Sequence, residues 1–432
     1  MRPPVWEEIM QIIENSIVKE KLYTEKLENG LTVMVFPRNG IQKKFVMWAT
    51  NYGAIDNKFI IPGQTEETEV PDGVAHFLEH KLFEQENGTN SLDTLTALGV
   101  NANAYTTTDH TAYLYECTDN FYEALDELMD YVQNPYFTDE NVEKEKGIIG
   151  QEIMMYDDYP DWIVYMNALK AMYKNTPINI DITGTIETVN KIDKDILYKC
   201  YNTFYNPSNM VMFFAGEFDP EEIIDEVKKR LIPKEQQGEI KRIYEKEPKE
   251  IVKKESEAKM DISIPMFVIG LKEDNIEKPE EMVKKHIAIE ILLNTMIGKS
   301  SKLYKELYEE GVLQEEPILE YEFSKIYSYV LITGASNEPK KVYERLLKEI
   351  DSIKQNGISK EDFERSKKMI YGVYVKEYNN IEDVSKMFVA DYFKGINSFE
   401  YIENYKQVTK EYAEKILQDV FKEEQTVLSI VR

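Results

Sequence analysis

The sequence predicts an α+β fold of two homologous domains, each a mostly antiparallel sheet covered by helices. Three observations lead there. At 432 residues the chain exceeds what one ordinary core organises and suits more than one domain. Residues 233–254 are mostly Lys, Glu, Gln and Pro, the composition of a linker. Beyond that stretch the order of strand and helix signals recurs, as in an internal repeat. The expected division is an N-terminal domain at residues 1–233, a charged linker at 234–254 and a C-terminal domain at 255–432.

Composition narrows the function classes. A hydrophobic content of 42% is ample for burial and argues against disorder as the main state. The formal charge of -27 argues against nucleic acid as a partner, because phosphate binding needs clustered Lys and Arg. Such a field steers neutral or cationic peptides better than acidic ones. Two cysteines, Cys117 and Cys200, are too few for a disulfide framework and read as reduced thiols. The first residues lack an apolar signal core, and no run reaches membrane-spanning length, so the expectation is a cytoplasmic protein without membrane contact.

Residues 6–18 carry an amphipathic helical pattern that could pack on a domain or a partner. Asn29-Gly30 supplies a turn before a strand at 31–37, and a second strand follows at 44–50. Residues 60–72, rich in Gly, Pro, Glu and Thr, read as a loop, with Asp72 as a candidate N-cap for the next helix. A helix at 91–98 is closed by Gly99. Strands at 101–106 and 111–116 form a hairpin turned at Thr108-Asp109-His110, which makes His110 a turn residue and not a ligand. Helices are expected at 120–134 and from 138 to about 155, then a buried strand at 210–216 and a helix at 220–231.

In the second half, residues 262–271 read as a strand and 286–296 as a helix in the place of the one at 74–83. Residues 342–355 match 121–133, and 359–365 match 138–144. Carrying that register forward sets Ser366 opposite Glu145 and Val373 opposite Glu152, so the C-terminal half should lack both of these carboxylates. His286 reads as a surface or capping residue.

The stretch Val74-Ala75-His76-Phe77-Leu78-Glu79-His80-Lys81-Leu82-Phe83 can be read as a metal site from its residues. At helical pitch His76 and His80 lie one turn apart with Glu79 beside them, while Val74, Phe77, Leu78 and Leu82 take the opposite face. Two neutral imidazoles fit zinc, and a neighbouring carboxylate fits a base that takes a proton from water. Glu145 and Glu152 lie two turns apart on a later helix, nearly in line, with Ile148 and Ile149 beside them. A carboxylate facing inward is costly unless it meets a cation. The metal held by His76 and His80 is the natural one.

HxxEH is the inverted zincin pattern, and the chain resembles the pitrilysin/insulinase family of zinc metallopeptidases. The resemblance runs from Leu27-Glu28-Asn29-Gly30-Leu31-Thr32-Val33 through Gly73-Val74-Ala75-His76-Phe77-Leu78-Glu79-His80 to Asn103-Ala104-Tyr105-Thr106, His110-Thr111-Ala112-Tyr113, Glu145 and Glu152. Length and the continuation His80-Lys81-Leu82-Phe83-Glu84 look most like the half-length branch that includes mitochondrial processing peptidase subunits.

The resemblance implies a Zn2+ endopeptidase in which His76, His80 and Glu152 are the ligands, Glu145 supports them from outside and Glu79 is the catalytic base. It also implies an exposed edge strand, with Asn103, Ala104 and Tyr105 pairing with an extended peptide substrate. Active members carry an Arg and a Tyr near a segment resembling residues 301–311. This chain has Lys302 at the Arg position and Val312-Leu313-Gln314 where the Tyr is expected, and Lys lacks the planar fork of Arg. The missing pair would come from a second half-length homologous subunit facing this chain across a chamber; the other expected assembly is a homodimer. The competing expectation is a non-catalytic subunit or peptide-binding scaffold of the same fold.

Overall fold

Strands rich in β-branched and aromatic residues are buried on both faces in the first of two units, so helices are required on each side of their sheet. The computed structural model describes residues 10–273 and 278–432. Seven strands lie in the order Gln11–Asn15, Glu20–Lys26, Thr32–Pro37, Met210–Gly216, Lys44–Thr50, Thr111–Cys117, Asn101–Thr106. All neighbours are antiparallel except Thr32–Pro37 and Met210–Gly216, which run parallel. One face of the sheet, with Trp48, Tyr113, Met212 and Phe214, joins the core that includes Phe77, Leu78, Leu125 and Phe204 from the covering helices. On the other face Phe213 and Phe36 pack against Phe388, with ring centroids 5.7 and 6.0 Å apart. Phe388 belongs to the helix Ile381–Lys394, far along the chain from the strands it covers.

The second unit is built on a five-stranded sheet in the order Glu255–Ala258, Thr426–Val431, Met266–Glu273, Ser328–Ala335, Ile318–Phe323. Here too a single parallel pair, Glu255–Ala258 with Thr426–Val431, interrupts an antiparallel sheet. The helix Pro279–Ile297 packs against Lys360–Glu377, and Thr295 donates to Ser366 at 3.0 Å. Ser366 is the residue that the repeat sets opposite Glu145. Counting back from Thr295 puts Ile291 and Asn294 where the first half has His76 and Glu79. An apolar side chain and an amide in those places leave no metal-ligand set.

The compact units interlace along the sequence. The first comprises residues up to 153, then 181–243 and 378–393; the second comprises 154–180, 244–377 and 394–432. A cut at residues 233–255 therefore differs from the packing in two segments, 154–180 and 378–393, because helix packing and not chain order decides membership. Composition also misdescribes the linker. Lys241–Arg242 pairs as a strand with Lys58–Ile60, and Arg242 Nε donates to Asp56 at 2.8 Å. Further on, Glu247 accepts from the backbone N–H groups of Lys174, Asn175 and Thr176 at 2.7 to 2.9 Å and from Lys272 Nζ at 2.6 Å.

Those donors make Glu247 a pH-dependent clasp. Burial pushes its carboxyl up, but Lys272 and the three N–H groups outweigh that and hold it at about 2, below the ordinary 4.5. Because the folded value lies below the unfolded one, the stabilisation is complete above pH 4.5 and disappears as pH falls toward 2. Discounted for solvent screening, it amounts to about 1–2 kcal/mol. Glu247→Gln is expected to lower the urea midpoint at pH 7 and to differ progressively less from the parent below pH 4. A gap that stays constant across this range would remove the charge from the explanation.

Other local expectations are corrected. Residues 11–15 form a strand and 16–19 a turn, so no helix covers 10–18; the remainder of the expected helix, with Trp6, lies outside the described residues. The loop at 60–72 contains a strand, Glu67–Glu69, in a small three-stranded sheet with Lys58–Ile60 and Lys241–Arg242. His286 sits inside its helix with Tyr321, Phe323 and Tyr401 rings around it at 5.3 to 5.6 Å, an aromatic setting and not a cap.

Candidate metal centre

The helix Val74–Lys81 is only eight residues long, and its entry is fixed by backbone geometry. Gly73 at its start has φ +92°, and a Cβ there would stand 2.5 Å from the Thr183 carbonyl oxygen. Gly184 mirrors this, since its Cβ would meet the Asp72 carbonyl oxygen at 2.6 Å. Two glycines thus let two backbones touch where any side chain would push the helix away. Asp72 does not cap it, accepting instead from Asn57 Nδ2 at 2.8 Å. Phe77 and Leu78, both 0% exposed, anchor the helix in the core and turn its polar face outward.

That polar face meets Glu152 on the helix Asp139–Asp157. His76 Nε2 lies 3.6 Å from Glu152 Oε1, and His80 Nε2 lies 3.6 Å from Glu152 Oε2. One atom from each of the three residues can be chosen so that all lie within 4.8 Å of one another, and no other such group occurs among the described residues. Tetrahedral zinc with bonds of about 2.0–2.1 Å separates its ligand atoms by about 3.4 Å, so the spacing fits that ion. Three donors are one fewer than tetrahedral zinc takes.

Electrostatics agree with the geometry. Burial, with His80 adding to it, lowers His76 to about 3, so the ring is neutral and offers a lone pair at pH 7. Burial also lowers His80, but its hydrogen bond to Glu145 and the charges of Glu79, Glu145 and Glu152 outweigh that and raise it. Burial raises the carboxyls of Glu79 and Glu152. Carboxylates crowded around two imidazoles are the environment that a dication relieves.

The surrounding groups fix orientations. Glu145, 8% exposed, sets Oε1 3.1 Å from His80 Nδ1, which points His80 Nε2 toward Glu152. His76 Nδ1 is buried and makes no hydrogen bond. Glu79 accepts from the Thr106 hydroxyl at 2.7 Å and is 8% exposed. The apolar stripe expected beside Glu145 and Glu152 is half present, since Ile149 is buried but Ile148 is 46% exposed.

The strand Asn101–Thr106 is the outermost of its sheet. Asn103 and Ala104 line a cleft of about 400 Å³ together with Glu79, His80 and Glu145. Within that strand the Ala104 N–H is held by Asn103 Oδ1 at 2.9 Å. The Tyr105 side chain takes the opposite face, its hydroxyl 3.4 Å from His110 Nε2 and its ring under Lys386. Thr107 N donates to His110 O at 2.8 Å, and the alternation of the ladder from there turns the main chain of Tyr105 and Asn103 to the neighbouring strand and that of Ala104 to the open edge. Sequence reasoning gave Thr106 no role, although period-two alternation places it on the same face as Ala102 and Ala104. His110, 4% exposed, bonds to Thr107 and Asp109 in the hairpin turn and is not part of the group formed by His76, His80 and Glu152.

The sequence profile of insulinase (peptidase family M16) matches residues 59–186, and that of the peptidase M16 inactive domain matches residues 191–370. A Bacillus subtilis chain named as an uncharacterized zinc protease, YmfH, is 40% identical over 413 residues, or 94% of this chain and 95% of that one. A solved structure described as an M16-like peptidase from Alicyclobacillus acidocaldarius has a TM-score of 0.91 at 35% identity, covering 97% of this chain and 99% of that one. An Arabidopsis thaliana chain named as a mitochondrial-processing peptidase subunit beta is 30% identical over 178 residues, 40% of this chain and 33% of that one. Two profiles matched in order and a relative alike over nearly its whole length lead to one conclusion: the chain belongs to the insulinase family of peptidases, family M16.

Proposed function

We propose that the chain is a zinc-dependent endopeptidase that cleaves peptides or a peptide precursor as one half of a two-chain chamber. The observation that carries this reading is the convergence of His76, His80 and Glu152 beside a buried Glu79. Zinc, when bound, supplies Lewis acidity toward water and the scissile carbonyl. Two imidazoles with one carboxylate favour it over manganese, which prefers oxygen donors.

Glu79 takes the proton from the attacking water and returns it to the leaving amine. A carboxyl raised by burial suits both directions of transfer. The Thr106 hydroxyl on Glu79 Oε2 keeps that carboxylate aimed, and Glu145 keeps the His80 ring aimed. The main chain of Ala104 pairs with an extended substrate, which requires the Asn103 side chain to release the Ala104 N–H, while Asn103 and Tyr105 on either side hold the strand to its neighbour.

The positions at which the resemblance expects an Arg and a Tyr hold neither. Lys302 is 85% exposed with Glu306 at 3.6 Å, and Val312 and Leu313 are buried apolar residues. A second half-length homologous chain supplies the Arg and Tyr, and the word subunit in the name of the plant relative supports such pairing. Among the described residues no helix is long and apolar enough to cross a membrane. With both thiols buried and free, the reading places the chain in the cytoplasm.

The test is metal analysis of the purified chain, followed by hydrolysis of long peptides with and without chelator, alone and with a homologous second chain. One zinc per chain and chelator-sensitive cleavage that rises on pairing are expected. Cleavage indifferent to chelator would sink the reading. Zinc bound without cleavage in any pairing would leave the scaffold alternative.

A further inference from the structure

We propose that Lys81 is a positioning residue of this centre, its ammonium holding the Glu145 carboxylate from one side while that carboxylate holds the His80 ring from the other. The inference rests on the reading of His76, His80 and Glu152 as metal ligands.

Lys81 follows His80 directly at the end of the helix Val74–Lys81, and its side chain is 0% exposed. A lysine is almost never buried to this degree unless paired. Two carboxylates answer it. Glu84 forms an ion pair with Lys81 Nζ, and Glu145 Oε2 lies 3.6 Å from the same nitrogen. The other Glu145 oxygen is the one 3.1 Å from His80 Nδ1. Four side chains therefore connect in a line, Glu84 to Lys81 to Glu145 to His80, that ends on a metal ligand.

The far end of the line is fixed as well. Glu84 forms a backbone bridge with Asn90, Gln85 N donates to Thr89 O at 3.0 Å, and Ser91 N donates to Phe83 O at 2.8 Å. Lys81 is thus tied to a closed loop and not to a wandering surface acid.

Stability alone does not account for a charge in this place. Apolar residues in place of Lys81 and Glu84 together would fill the space without desolvation cost, and such replacements of whole buried ion pairs are often neutral or stabilising. What the ammonium adds is direction. A glutamate's last torsion is broad, so a carboxylate with one partner can rotate away from it. Held at both oxygens, Glu145 keeps its line to Nδ1, and His80 keeps its Nε2 toward Glu152 at 3.6 Å. His76 has no such support, since its Nδ1 makes no hydrogen bond, so the setting of the paired rings depends on the His80 side.

The experiment titrates the full chain, stripped of metal, with Zn2+ against a competing chelator and with Co2+ followed by its visible absorption. Lys81→Met is expected to weaken zinc binding about 10-fold, the lower end of what losing an outer partner costs, and to change the Co2+ bands. Lys81→Arg, which keeps a cation, is expected to recover most of the affinity. Should Lys81→Met fail to fold, the pair Lys81→Met with Glu84→Gln, which removes the buried charge and one partner together, carries the same expectation. A folded variant with parental zinc affinity and an unchanged Co2+ spectrum overturns the proposal. A parent chain that binds no zinc overturns the ligand reading and this proposal with it, and the parent titration tells the two failures apart.

Discussion

Glu79→Gln is expected to keep the fold and one zinc per chain while lowering kcat for peptide hydrolysis by at least about 10²-fold, the smaller contribution of a positioned general base. The substitution is nearly isosteric, and the glutamine carbonyl can still accept from the Thr106 hydroxyl that now bonds Glu79 Oε2 at 2.7 Å. What is lost is the ability to take a proton, which an amide lacks at neutral pH. Glu79 is not among the three residues whose atoms converge on the metal position, so zinc content should not change. KM should also change little, because the edge strand that would hold substrate is untouched. Steady-state kinetics beside metal analysis reads both quantities. A variant that retains zinc and turns over at the parental rate removes Glu79 from the role of base.

How far the sequence reveals this site depends on the range of the signals. His76, Glu79 and His80 are legible because one helical turn brings them together, and the structure keeps that spacing. Glu145 and Glu152 are legible as an inward pair by the same periodicity, and the cost of burying them points to the histidines, yet which of the two meets which ring is a tertiary matter for which the sequence had only the resemblance. Lys81 was not legible, because nothing in a lysine's neighbours along the chain says that it will be fully buried. The fold divides the same way. Hairpins and helices with strong periodicity lie close to where the sequence puts them, as with Asn101–Thr106 and Phe121–Gln133. Failures cluster where long-range packing overrides composition: the strand Gln11–Asn15 exists because Glu20–Lys26 pairs with it, and Lys241–Arg242 because Lys58–Ile60 does. The helix Ile381–Lys394 covers a sheet from the other half of the chain, where Tyr392 meets Thr32 at 2.8 Å, and no local pattern encodes that destination.

Glu152→Gln is expected to weaken zinc binding by more than the about 10–100-fold that Glu145→Gln costs, and this ordering separates a ligand from its support. The two carboxylates stand on one helix face two turns apart, so sequence spacing does not rank them. The geometry does. Both Glu152 oxygens face imidazole Nε2 atoms, at 3.6 Å each, whereas Glu145 faces the Nδ1 of His80 and the ammonium of Lys81. An imidazole that ligates through Nε2 is commonly oriented by an acceptor at Nδ1, the place that Glu145 takes on His80, and a carboxylate cannot serve both sides of the ring at once. Zinc binding to the native state adds stability by mass action, about 2.7 kcal/mol at a hundredfold excess over Kd. The rise in Tm on adding zinc should therefore be largest in the parent, smaller in Glu145→Gln and nearly absent in Glu152→Gln. If Glu145→Gln abolishes that rise while Glu152→Gln keeps it, the assignments are exchanged and the line from Lys81 to the metal is one residue shorter.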